Sequence, residues 1–319
     1  MSRGIVALAG GVGAARFLSG LCEVVDPAEI TIIGNTGDDM EWNGLSISPD
    51  LDTVAYTLAG VADEERGWGI RGDTYESLGW MARYGMETWF KLGDRDLATH
   101  CFRTDALRRG MRLSEVTRRI CEGLGVRARL LPVTDDRLRT RVETSDGILE
   151  FQKYFAEKRC EPEVRGILFD GVETARPAPG VLDAILDAVA VIVCPSNPLI
   201  SIGPILAVAG VGEALRVTTA KVLAISPIVG GRALKGPADR MMRGLGLESS
   251  AAAVAELYRD FADVFVLDKV DKAERSRVEA LGMQALVTLT VMKNRAARVA
   301  LGRAVAGALE LDPRPEPTP

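Results

Sequence analysis

Short apolar runs rich in β-branched residues alternate with helix-length amphipathic stretches, a rhythm that predicts a parallel sheet wound with crossover helices. Strands are expected at Ile5–Ala9, Ile30–Gly34, Val164–Phe169, Val189–Cys194, Lys221–Ile225, Asp263–Leu267 and Ala285–Leu289. Helices are expected over Ala14–Val24, Pro204–Leu215, Ala251–Phe261, Lys272–Leu281 and Arg295–Leu309. The middle of the chain breaks the rhythm. Residues 60–125 read as helical and charged, with Ser114 placed to cap Glu115–Gly123. Residues 138–154 alternate polar and apolar on either side of Asp146-Gly147, which predicts a hairpin. The expected architecture is therefore α/β, with a parallel-sheet core from residues 1–60 and 160–310. A helical lobe and a β-hairpin are inserted over 61–159, and four prolines in the last eight residues mark 311–319 as a loose tail.

Composition narrows the function classes. A chain of 319 residues with 47% hydrophobic and 26% charged residues can bury a core, which excludes a disordered or fibrous protein. Thirty-nine Lys and Arg stand against 44 Asp and Glu, a net charge of −5. Proteins that grip nucleic acid through its phosphates carry a basic excess, so no such partner is expected. The five cysteines (Cys22, Cys101, Cys121, Cys160, Cys194) form no CxxC pair. Neither a disulfide framework nor a cysteine zinc site fits, and the cytoplasm is the expected setting. His100 is the only histidine, so histidine-rich metal sites are excluded and a Ser-His-Asp triad would have to run through it. The apolar run in MSRGIVALAGGVG is too short for a membrane span and predicts a buried first strand.

The loops that leave the strands carry the candidate chemistry. The first strand is followed by Gly10-Gly11-Val12-Gly13-Ala14-Ala15-Arg16, and the second by Asn35-Thr36-Gly37-Asp38-Asp39. Pro195-Ser196-Asn197-Pro198-Leu199-Ile200-Ser201 follows Val189–Cys194, and Ser226-Pro227-Ile228-Val229-Gly230-Gly231 follows Lys221–Ile225. Ligands of an open parallel sheet bind beyond the carboxyl ends of its strands, so loops at one edge predict a composite pocket. Glycines in the first loop let the backbone approach a ligand, and the helix behind it points N–H groups and its positive end there. Phosphate suits that arrangement. Arg16 either reaches back to the same anion or is solvated. The dinucleotide fingerprint is incomplete, because Arg16 holds its third small position and Gly34-Asn35 replaces the acid that would hold the ribose of NAD. That disfavours an NAD-dependent oxidoreductase, and the missing GxxxxGK[ST] loop excludes an ordinary P-loop nucleotide hydrolase.

Asp38, Asp39, Glu41, Asp50 and Asp52 fall within 15 residues. Carboxylates beside a phosphate loop call for Mg²⁺, a hard ion that takes one or two of them together with phosphate oxygens. The competing role is structural: Asp50 or Asp52 caps a helix beginning near Thr53. The segment Lys91-Leu92-Gly93-Asp94-Arg95-Asp96-Leu97-Ala98-Thr99-His100 is a solvated turn, an internal ion-pair knot, or a source of Lys91 and Arg95 for a polyanionic substrate. Trp68, in Arg66-Gly67-Trp68-Gly69, either offers a flat face to a ring or packs in the core.

Taken in order, GGVGAARFLSGL, NTGDD, SPDLDT, RGWGI, KLGDRDLATH, SNPLISIGPI and SPIVGG resemble the 2-phospho-L-lactate transferase family over about residues 4–290. The resemblance implies a Rossmann-like core with an inserted lobe, a homodimer, and a Mg²⁺-dependent transferase of coenzyme F420 biosynthesis. Its reaction moves a phosphate-linked three-carbon acid (2-phospholactate, phosphoenolpyruvate or similar) from a guanosine diphospho-conjugate to the ribityl hydroxyl of the deazaflavin Fo. GMP leaves. The resemblance places Asp52 and Lys91 at Fo, with Arg95 in the same segment, and the metal on Asp38 and Asp52. The guanosine diphosphate part falls to Gly10, Gly11 and Gly13, with Asn35, Ser196, Asn197 and Ser201 around it. Asp52 or Asp50 would accept the proton of the attacking hydroxyl and, with Asp38, complete the candidate catalytic set. Such chemistry needs positioning and neutralised charge more than covalent help, which suits a chain with one histidine. A related branch of nucleotide-sugar-binding regulatory proteins shares the core; it is expected to lack SPDLDT, RGWG and KLGDRD. Neither membrane nor nucleic acid is an expected partner.

Overall fold

The computed structural model describes residues 4–312; the expected tail, from residue 313 on, lies outside them. β1 (Ile5–Ala9), α1 (Gly11–Leu21) and β2 (Ile30–Gly34) form the first parallel unit, with Ile5 opposite Ile30 and Ala9 opposite Gly34. A small hairpin, β3 (Met40–Trp42) and β4 (Leu45–Ile47), leads into α2 (Pro49–Leu58). Next come α3 (Glu76–Arg83), α4 (Asp94–Arg108), α5 (Leu113–Gly123) and β5 (Arg129–Pro132). β6 (Arg139–Thr144) and β7 (Gly147–Glu150) turn at Ser145-Asp146, and β8 (Val164–Asp170) pairs with β6. The chain then runs through α6 (Val181–Leu186), β9 (Ala190–Val193), α7 (Gly203–Ala207), α8 (Val211–Val217) and β10 (Lys221–Ile225). A short hairpin, β11 (Ile228–Val229) and β12 (Arg232–Ala233), precedes α9 (Ala238–Gly244) and α10 (Ala251–Tyr258). β13 (Val264–Asp268), α11 (Arg275–Glu279), β14 (Gln284–Thr288) and α12 (Arg295–Ala308) complete the described path.

Seven strands make one parallel sheet in the order β14-β13-β10-β9-β1-β2-β5. β1, β9 and β13 are buried along their whole length, which is why they read as unbroken apolar runs. α1, α2, α5 and α12 cover one face, where Phe17, Leu18, Val54 and Val305 pack. The other face is covered by α6 to α11, through residues such as Ile205, Val254 and Val278. Each fully buried aliphatic or aromatic chain contributes roughly 2–3 kcal/mol by leaving water, so these two layers carry the stability. The order of winding reverses between β1 and β9, and the crevice beyond the carboxyl ends of strands at such a point is where α/β sheets bind ligands. Among the described residues no single helix is long and apolar enough to cross a membrane.

Five expectations need correction. The run at Val164 is a strand, but it lies antiparallel to β6 in a separate three-stranded sheet. Its exposed residues, Arg165 and Leu168, mark it as a surface strand. Conversely, Arg129–Pro132, within the span expected as an insert, joins the parallel sheet beside β2 as its edge. The helix expected over Pro204–Leu215 is interrupted: a π-helical turn (Pro198–Ile202) precedes α7, and Gly210, at φ +84°, restarts the chain as α8. Ser114 lies inside the first turn of α5, where Asp135 accepts hydrogen bonds from its N–H at 2.6 Å and its hydroxyl at 2.9 Å. The stretch from Gly60 to Tyr75 holds no helix, because Gly60, Gly67, Gly69 and Gly72 all take positive φ.

Candidate active site

The turn after β1 is shaped by what presses against it. Gly11 sits at φ +70°, open to glycine at little cost. A Cβ on Gly10 would lie 2.7 Å from both the Asp50 carboxylate and the Ser201 side chain, and one on Gly13 would lie 2.2 Å from the Pro195 carbonyl oxygen. These glycines therefore let the loop after β9 and the start of α2 close onto α1. The Gly10 N–H donates to Ser196 Oγ at 3.3 Å. The Asp50 carboxylate accepts from the Gly11 backbone and from Asn35 Nδ2 at 2.9 Å. An anion does face the amino end of α1, as helix electrostatics requires, and it is the protein's own Asp50. Asn35 also donates to the Ile200 carbonyl at 3.2 Å and accepts from Gly37 N–H, so it joins the loops after β2 and β9. Asn197 accepts from Leu199 N–H of its own loop at 3.0 Å and donates through Nδ2 to Met241 Sδ of α9 at 3.7 Å.

Neither Asp50 nor Asp52 is the helix cap. α2 opens at Pro49 behind Ser48, and both aspartates fall in its first turn. Burial pushes Asp50 up to about 6 and Asp39 up to about 7. Asp38 is raised well above the carboxylate range by burial, then by the charges of Asp50 and Asp39; Asn35 and Thr140 draw it back only in part. Arg139 and Ser48 oppose the rise of Asp39, and Ser48 Oγ donates to its Oδ2 at 2.8 Å. Among the described residues, ten buried side-chain polar atoms have no hydrogen-bond partner, and five of them belong to Thr36, Asp38, Asp39, Asp52 and Thr140. Such orphans are rare in folded proteins and call for a water, an ion or a ligand to satisfy them. Orphaned carboxylate oxygens among mutually repelling aspartates fit a hard divalent cation. No three His, Cys, Asp or Glu side chains among the described residues form a ligand cage, so a cation in this cluster would rest on one or two carboxylates and on oxygens of its substrate.

Asp52 is engaged differently. Its Oδ1 accepts from Arg103 Nη2, and its Oδ2 lies 3.8 Å from His100 Nδ1. Arg103 also donates through Nη1 to His100 Nδ1 at 3.0 Å, and His100 Nε2 meets Asp96 Oδ1 at 3.1 Å. The Tyr56 hydroxyl completes the chain, donating to Asp96 Oδ1 at 2.7 Å. Burial works against the Arg103 charge, but Asp52, Asp39 and Tyr56 outweigh it and the guanidinium is held more firmly protonated than usual. Both nitrogens of His100 are thus committed, and no serine shares them. Of the roles open to the KLGDRD segment, its aspartates take the internal-knot role: Asp94 accepts from Thr74 Oγ1 and from the Glu76 and Ser77 N–H groups, fastening the start of α3. Lys91 is exposed ahead of α4. Arg95, also exposed, donates to the Arg71 carbonyl at 3.3 Å. Trp68 lines a narrow cleft with Val12 and Arg16 at the same end of α1, under the guanidinium of Arg66.

Sequence reasoning missed Arg103, His100 and Tyr56 as neighbours of the cluster. The one signal in the sequence is the spacing of Asp96, His100 and Arg103 at i, i+4 and i+7, which stacks three ionisable side chains on one face of α4.

A family model described as 2-phospho-L-lactate transferase CofD matches residues 5–301. A phosphoenolpyruvate transferase of Streptomyces griseus subsp. griseus is 45% identical over 305 residues, covering 94% of this chain and 96% of that protein. A 2-phospho-L-lactate transferase of Methanosarcina mazei is 41% identical over 288 residues, covering 90% of this chain and 94% of that one. Among solved structures, a member of the UPF0052 family from Bacillus halodurans superposes with a TM-score of 0.60 at 14% identity, covering 96% of this chain and 99% of that chain.

Proposed function

The chain belongs to the 2-phospho-L-lactate transferase CofD family, and on that premise we propose that it transfers a phosphate-linked three-carbon acid from a guanosine diphospho-conjugate to the ribityl hydroxyl of Fo. Relatives named for phosphoenolpyruvate and for 2-phospho-L-lactate stand at 45% and 41% identity, so the proposal extends to the class of acid and not to one member of it. The hydroxyl oxygen bonds to the phosphorus that carries the acid, the bond from that phosphorus to the GMP oxygen breaks, and the hydroxyl proton is released. The donor's pyrophosphate lies at the turn of Gly10, Gly11 and Gly13, flanked by Ser196 and Ser201. Arg16 is one turn behind. Fo lies toward Asp52 and Lys91.

The observation that carries this reading is the group of buried, partly orphaned carboxylates, Asp38 and Asp39 beside Asp50, of which Asp50 touches the amino end of α1. A pyrophosphate beside them would be repelled without a compensating cation. Asp38 and its neighbour Asp50 would hold Mg²⁺ in place of the expected pair Asp38 and Asp52, because Arg103 occupies Oδ1 of Asp52, which stands on the acceptor side. When bound, the ion offsets the charge that builds on the transferring phosphate and on the leaving GMP. The protein's own part is to seat the donor against the backbone N–H groups of α1, hold the hydroxyl near Asp52, and keep water out. Asp52 takes up the hydroxyl proton.

The test is incubation of the purified protein with Fo, Mg²⁺ and each guanosine conjugate in turn, followed by mass spectrometry. A phosphodiester of Fo appearing in step with GMP is the expected result, and the conjugate that yields it identifies the acid. Binding of nucleotide with no GMP released from any conjugate would overturn the proposal.

A further inference from the structure

The knot behind Asp52 has a direction to its hydrogen bonds. Arginine only donates, so the contact from Arg103 Nη1 makes His100 Nδ1 an acceptor and leaves the ring proton on Nε2, where it donates to Asp96. The Tyr56 hydroxyl donates to the same carboxylate. Arg103 Nε keeps a buried N–H without a partner, and none of these donors makes a hydrogen bond to Asp52 Oδ2. That oxygen is buried and has no partner, while Oδ1 is held by Arg103. Arg103 is itself only 1% exposed, and His100 2%. A buried ion pair of this kind rarely adds stability over an apolar pair, yet losing one partner strands a buried charge. Its use lies in fixing geometry.

We propose that Arg103 is a positioning residue for the transfer: by clamping Oδ1 of Asp52 from α4, it reserves Oδ2 for the hydroxyl of the acceptor. Asp52 has nearby carboxylates on its own side of the sheet and a rotatable side chain. Without the clamp its carboxylate is free to turn toward His100 or to draw on other donors. His100, held by Arg103 and Asp96 together, fixes the guanidinium from behind. The clamp also ties α2, which belongs to the core layer, to α4, which leads from the segment carrying Lys91. The two acceptor-side residues are thereby held on one frame. This inference rests on the placement of Asp52 at the acceptor.

The test compares the wild type with R103M, R103K, D52N and the double variant D52N/R103M. Each is measured for kcat, for KM toward Fo and donor, for equilibrium binding of Fo followed through its deazaflavin absorbance, and for thermal melting. A misplaced reacting group costs on the order of a hundredfold in rate, so R103M is expected to lose about that much in kcat while its KM for the donor stays within about threefold. R103K, which keeps the charge but not the fork, recovers about tenfold of the loss. In the D52N background, adding R103M changes the rate by less than about threefold, and the double variant melts above either single one. Folded R103M with kcat near wild type overturns the proposal, as does a double variant whose losses multiply. If R103M does not fold, the same comparison is made with R103K and D52N/R103K. A wild-type protein that turns over while D52N retains full rate and full Fo binding would instead overturn the placement of Asp52.

Discussion

At the residue scale, the glycine turn and the acidic pairs were legible because short-range spacing decides them. Gly10, Gly11 and Gly13 announce a close approach, although the approaching groups are Asp50, Ser201 and Pro195 of the same chain. The partners of Asp52 were not legible, because no local rule connects position 52 to position 103; only side-chain bridges between α2 and α4 do. Gly13→Ala drives a Cβ into the Pro195 carbonyl, which moves only with its whole loop, so a loss of roughly 1–3 kcal/mol is expected in denaturant unfolding. Gly79→Ala is its counterpart. Gly79 lies inside α3 with open space where a Cβ would go, and alanine there should add about 0.5–1 kcal/mol. Asp50→Asn separates stability from activity. It removes one of several buried like charges and should raise the melting temperature in chelator, while abolishing turnover. An active D50N enzyme would refute the assignment of Asp50.

At the scale of elements, β1, β2 and β10 match their expected limits because a strand buried on both faces is an uninterrupted apolar run. β5 escaped notice: four residues ending in Pro132 carry too little pattern, and only its pairing with β2 makes it a sheet strand. β8 has the right residues for a strand, and the choice between sheets was settled by the neighbouring hairpin. α3 depends on a distant cap. Its first N–H groups donate to Asp94, whose carboxyl is held down to about 2, first by the Thr74 hydroxyl and then by those backbone bonds. A lowered folded-state pKa means stability that is present above about 4 and is lost as the pH falls toward 2. Asp94→Asn should therefore melt below wild type at pH 7, and the gap should narrow as both are titrated to pH 3. A gap that does not change with pH would rule out the charged cap.

At the scale of the whole molecule, ligands that bind only the folded state stabilise it by mass action. Mg²⁺ together with the guanosine donor at a hundredfold excess over its dissociation constant should add about 2.7 kcal/mol, read as a rise in melting temperature that chelator reverses. Either component alone should give less than the two together, since the carboxylates and the pyrophosphate repel each other until the cation joins them. The parallel winding was implied by the alternation of strands and helices; the sheet order, with its reversal at β1 and β9, and the seating of α12 on α1 were not. Gly20 and Gly302 let those two helices touch backbone to backbone, and Arg298 reaches Ser19 across 279 residues of sequence, while Arg295 pairs with Glu23. During synthesis α1 (Gly11–Leu21) is made long before α12 (Arg295–Ala308), so its back remains bare until α12 arrives. A nascent chain should accordingly be unable to retain nucleotide, and its slowest maturation step should be the arrival of that late helix.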